Sequence, residues 1–144
     1  MQTAGTVMPT TKLGKPVALK IGLEEAVAKL RGVLEGQGFA VVGTLDVKEA
    51  IKAKAGVDVR PFLSMGVVHY DLLKRIVSEK PEAALWLPWS IAIEWVDDKA
   101  RITVPDPMAM TMFVAEDAAW REIAGDLKLR FERVLVSMGD FIAN

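Results

Sequence analysis

The side chains able to do chemistry in this sequence are few, and they gather in two short runs. Gly66-Val67-Val68-His69-Tyr70 holds the single histidine and the single tyrosine of the 144 residues. Leu87-Pro88-Trp89-Ser90 sets a hydroxyl beside a tryptophan, inside the uncharged stretch LWLPWSIAI (85–93). A lone histidine can orient a ligand, hold haem iron axially or respond to pH. It is a poor metal site by itself, because a closed coordination shell needs further imidazole, thiolate or carboxylate donors. Trp89, with Trp86 and Trp95, can line an apolar pocket, although aromatic residues at strand spacing also simply fill cores. Tyr70 follows His69 and suits packing as well as binding. Three methionines in MAMTM (108–112) offer either an adaptable binding surface or gap-filling beneath the last helix. Asp97-Asp98 and Asp106-Pro107 read as turns, since neither has a base, nucleophile or metal partner in the sequence. There is no phosphate-binding loop, dinucleotide fingerprint, nucleophile elbow or zinc-binding helix.

Composition narrows the classes further. Lys and Arg number 18 against 19 Asp and Glu, and the pI is about 5.9. Nucleic-acid binding calls for a basic excess, and membrane attachment for a polybasic or lipidation signal, so neither partner is expected. With no cysteine, disulfides and thiol catalysis are excluded. The first twenty residues carry Lys12, Lys15 and Lys20 without an apolar run, and only eleven uncharged residues separate Glu82 from Glu94. Neither a secretory signal nor a spanning helix is read there, and the chain is expected in the cytoplasm. Apolar residues make up 51% and mean hydropathy is +0.26. That excess suggests a further buried face, expected as a homodimer contact through a long helix or a sheet edge.

The elements that must position these residues follow from periodicity. Residues 1–15 are polar and Thr-rich, a loose segment or an added edge, with a single domain over 16–144. PVALKI (16–21) predicts a strand. In GLEEAVAKLRGVLEGQG, Leu23, Ala26, Val27, Leu30, Val33 and Leu34 form one helical stripe, ended by Gly36 or Gly38. FAVVGTLDV (39–47) predicts a strand, 48–55 a short helix ended by Gly56, 61–68 a strand, and 71–80 a helix with Leu72, Leu73, Ile76 and Val77 on one side. A strand over 84–95 would turn Trp89 and Trp95 inward and Trp86 outward, and Pro88 would place it at an edge or a bulge. It pairs through Asp97-Asp98 with RITVP (101–105). The last helix, 116–138, has an apolar face of Trp120, Ile123, Ala124, Leu127, Phe131, Val134, Leu135 and Met138. Asp126→Arg130 and Lys128→Glu132 are its i,i+4 pairs. This order predicts an α+β fold, a curved antiparallel sheet with helices on one face.

Several of these pieces together resemble the domain of unknown function 302 family: Gly38-Phe39, Leu45-Asp46-Val47-Lys48, Arg60-Pro61-Phe62, Gly66, Leu87-Pro88 and Asp106-Pro107. The resemblance spans about residues 23–138 and implies a fold similar to the TATA-binding protein. It also implies cysteines in the two chemistry-bearing runs, where this chain has Val68 and Trp89. A thiol before a helix N-terminus is activated toward reaction or soft metals; Val68 and Trp89 can do neither. The expectation is a non-catalytic small-ligand-binding, regulatory or interaction module, with no cofactor and a small apolar ligand held near His69, Trp89, Val68, Ser90 and Tyr70. The competing reading is a haem-like or small-molecule enzyme using the His69 region.

Overall fold

Apolar residues spaced by two in the strands and by three or four in the helices converge on one core. The computed structural model describes residues 6–7, 13–113 and 117–138. In chain order the elements are β1 (Thr6–Val7), β2 (Gly14–Leu19), α1 (Leu23–Gly36), β3 (Phe39–Asp46), α2 (Val47–Ala55), β4 (Phe62–His69), α3 (Tyr70–Glu79), β5 (Trp89–Val96), β6 (Lys99–Pro105) and α4 (Ala118–Ser137). The strands form one antiparallel sheet in the order β1-β2-β6-β5-β4-β3. The α+β class holds. No helix among the described residues is long and apolar enough to cross a membrane.

The helices build the core against one face of the sheet. Ala26, Leu30 and Leu34 of α1, Leu72 and Ile76 of α3 and eight residues from α4 and its end, Trp120 to Met138, meet Val17, Leu19, Met65, Val67, Trp89, Ile91, Ile93, Ile102 and Val104. All eight expected face residues of α4 are buried. Each large side chain among them contributes about 2 kcal/mol by leaving water, so α4 is the main anchor of the helical layer. Asp117 starts it, accepting the Trp120 N–H at 2.9 Å, as an N-cap should. The α2 helix buries nothing; it is held by its cap, Asp46 to the Glu49 N–H, and by left-handed Gly56.

The hairpin turn is as predicted. Asp97 and Asp98 both have positive φ (54° and 58°), and Val96 pairs with Lys99, the geometry of a two-residue turn matching strand twist.

Four expectations are corrected. Residues 84–88 are not strand: Pro81–Trp86 is a 3-10 turn, leaving Leu85 85% exposed. The ladder begins only at Trp89, because Pro88, following a cis bond, has no N–H to donate. Consequently β5 is a central strand; the irregularity in the sheet lies instead in β3, between Val41 and Gly43. Val77 is 75% exposed, since α3 buries only a narrow stripe. Finally, Lys128 and Glu132 turn to Asp106 and Lys15, each at 4.0 Å, rather than to one another. Of the N-terminal segment, residues 1–5 and 8–12 lie outside the described part, while Thr6 and Val7 pair with Ala18 and Val17. Met108 packs partly on the core; the Met110 and Met112 side chains lie outside the description.

Candidate functional site

His69 closes β4 and precedes α3, and it is 4% exposed. Its Nε2 lies 2.9 Å from Arg130 Nη1. A guanidinium only donates, so Nε2 accepts and the neutral ring carries its proton on Nδ1. That atom is buried and has no hydrogen-bond partner among the described residues. Phe39, its cross-strand partner, meets the imidazole edge-on at 5.1 Å and stacks on Phe131 at 5.1 Å. On the third side is Gly38, at φ +88°, where a Cβ would come within 2.8 Å of Nε2. Burial lowers the His69 pKa below its ordinary 6.5, and the Arg130 charge lowers it further. Asp71, the Gln37 carbonyl and Asp126 pull the other way without prevailing.

Arg130 is itself held in a chain of ion pairs running to the surface. Its Nε donates to Asp126 at 2.9 Å, Asp126 accepts from Arg75 at 3.3 Å, and Arg75 reaches Glu79 at 3.5 Å. Asp126–Arg130 was legible as an i,i+4 pair, but its turn toward His69 was not, because contacts 61 residues apart leave no mark in local spacing. Gln37 Nε2 to Ser137 Oγ, 3.3 Å, ties the same corner of α1 to α4.

Strand alternation disperses the other residues singled out in the sequence. Trp89 shares the helix side with His69 and is 3% exposed, edge-on to Phe131 at 6.4 Å. Its ring occupies core volume. Val68 and Ser90 point to the other face of the sheet, away from the core under α1, α3 and α4: Val68 is buried opposite Ala40, and Ser90 is exposed opposite Gly66. Pro88 packs closely over Gly66, where a Cβ would come within 3.0 Å of its ring. Tyr70 is 61% exposed and lines a shallow depression on α3 with Leu73 and Val77. The positions where the resemblance implies cysteines, Val68 and Trp89, therefore lie on opposite faces of the sheet. Trp86 leans on Trp120 at 5.0 Å.

A more enclosed hollow lies elsewhere. A groove of about 430 Å³ runs between α1 and the adjoining ends of β3 and β4. Leu23, Val27, Ala28, Pro61, Phe62 and Leu63 give it an apolar lining; Glu24, Arg31, Asp46 and Lys48 supply its charges. Arg31 donates to Thr44 Oγ1 at 2.9 Å. Lys48 is occupied by Asp58 at 2.8 Å and the Val59 carbonyl at 2.6 Å. Nearby, Arg60 lies over the Phe62 ring at 5.8 Å and, with Arg101, clasps the buried Glu94 at 2.6 and 2.8 Å. Burial pushes the Glu94 carboxyl up, yet the donors from Arg101 and Arg60 outweigh it and hold it below the usual carboxylate range. Among the described residues no three His, Asp or Glu side chains are placed to hold a metal ion. The groove went unread in the sequence because its lining comes from three separated segments of ordinary amphipathic residues.

The chain matches the family model described as Domain of unknown function DUF302 over residues 16–138, and it belongs to that family. It is similar to the crystal structure of an uncharacterized conserved DUF302 protein from Bacillus stearothermophilus. The TM-score is 0.79 at 24% identity, covering 86% of this chain and 96% of that one. That likeness is one of fold. No curated protein matches the chain.

Proposed function

We propose that this chain is a non-catalytic binding module that holds a small, largely apolar molecule in the groove between α1 and the ends of β3 and β4. The observation that carries the reading is the groove itself, about 430 Å³ with six apolar lining residues beside four charged ones. Small-molecule sites have this size and this mixture of apolar walls with a few polar groups. The His69 corner supports it less well. A ligand reaching Nε2 must displace Arg130, and Nδ1 is enclosed by protein.

The module acts as a homodimer through the outer edge of β3, which pairs with no further strand among the described residues. Val42 and Leu45 are 55% and 56% exposed on that strand, whose sequence FAVVGTLD lacks the lysine or proline that usually guards an edge. Light scattering is expected to give about twice the chain mass of 15.7 kDa. Val42→Lys, which installs a guard, brings it to a single chain; a monomeric wild type refutes the dimer.

Groove occupancy is tested with a neutral apolar dye, Nile red, whose fluorescence rises in an apolar site. Wild-type protein is expected to bind it saturably, and Ala28→Trp, filling the groove from an exposed lining position, abolishes binding. Unchanged dye binding by Ala28→Trp overturns the assignment.

A further inference from the structure

The charged groups around the groove are not equally committed, and their differences indicate what it takes. Asp46 caps α2 through the Glu49 N–H. Lys48 is occupied by Asp58 and the Val59 carbonyl. Arg31, by contrast, spends one of five N–H donors, on Thr44. Its exposed guanidinium lies along the groove wall with the rest of its fork unused among the described residues. Glu24 stands seven residues away on the same helix, two turns or about 10 Å, with no hydrogen bond or ion pair among the described residues. Between the two charges run Val27 and Ala28, facing Pro61, Phe62 and Leu63.

Resting on the groove reading above, we infer that the ligand is a monocarboxylic acid with an apolar body, its carboxylate on Arg31 and its body against Val27, Ala28 and Phe62. A guanidinium fork matches a planar carboxylate with two parallel donors, a geometry an ammonium cannot offer. Thr44, on the edge strand, holds the Arg31 side chain in place, so less freedom is lost when the acid binds. Glu24 decides the other end. A dicarboxylate long enough to fill the groove would bring its second charge toward this carboxylate, and like charges repel. The far end of the ligand is therefore neutral or cationic.

The test compares 4-phenylbutyrate with 4-phenyl-1-butanol, which keeps the same apolar body without the charge. Amide chemical shifts of the whole chain are followed by NMR during each titration. Both are expected to move the amides of Val27, Ala28, Phe62 and Leu63, and the acid to bind about tenfold more tightly, the gain typical of one charge-assisted pair. Arg31→Gln removes that advantage, so that the acid and the alcohol bind alike. Raised salt weakens the acid and spares the alcohol in wild-type protein, which keeps the test valid even if the variant does not fold. If the alcohol binds as tightly as the acid while the groove amides still move, the head-group assignment falls and the groove stands. If neither ligand moves those amides, the groove reading itself falls.

Discussion

The His69 corner and the α1 groove lie at opposite ends of β4 and use similar residues to opposite effect. At the His69 end, Phe39, Phe131 and Trp89 close around the imidazole, and Arg130 takes its one free lone pair. At the other end Phe62, Leu63 and Val27 remain half-buried around open space, with Arg31 exposed. The difference lies in what sits above the strand. The corner has α4 packed over it, whereas α4 does not line the groove. A chemically capable residue under a packed helix becomes part of the core, while ordinary residues at the other end of the strand line open space among the described residues.

That contrast can be broken by mutation, and the packed end should suffer most. Phe131→Ala removes the ring that touches both Phe39 and Trp89, and its expected cost is about 4 kcal/mol, measured by urea unfolding; a loss under about 1 kcal/mol would mean the corner is loosely packed. Gly38→Ala combines a left-handed backbone with a Cβ 2.8 Å from His69 Nε2. Its expected cost is about 3 kcal/mol, strain and overpacking together.

Acid should weaken the same corner. The folded His69 pKa lies below its ordinary 6.5, through burial and then Arg130, so the unfolded chain binds the proton more readily. The His69 contribution is thus fully present above about pH 6.5 and is lost as pH falls through the lower folded value. Comparing the stability of wild type and His69→Gln from pH 7.5 down to 5 should show a steeper decline in the wild type. Parallel curves would mean that the folded protein accommodates the imidazolium without penalty. The smallest effect belongs to the groove: Ala28→Trp should change stability by under about 0.5 kcal/mol, and a larger loss would show that the groove wall is a structural contact.

Much of the architecture was legible because burial repeats with the geometry of each element. The α4 face came out residue by residue, and the α1 stripe, the Asp97-Asp98 hairpin and the Gly56 stop stand as read. The error around Leu85 and Trp86 has a local cause: alternation continues through LWLPW on paper, but a proline without an N–H ends the ladder there. Val77 fails for another reason, since helical spacing marks an apolar stripe without saying how wide a neighbour covers it. The candidate residues fared differently. His69, Trp89, Val68, Ser90 and Tyr70 were grouped by nearness along two runs, and adjacent residues in a strand necessarily point to opposite faces.

The sequence by itself determined most of the elements, the inward-facing residues of α4 and, from Trp89 onward, of β5, and the lack of thiol chemistry, because each depends on residue type and local period. Only the tertiary structure decided that Arg130 meets His69, that Trp89 fills core volume, and that Leu23, Phe62 and Arg31 share a groove. Those outcomes depend on which distant segments come together, and side-chain spacing along one segment carries no record of its neighbours across the sheet.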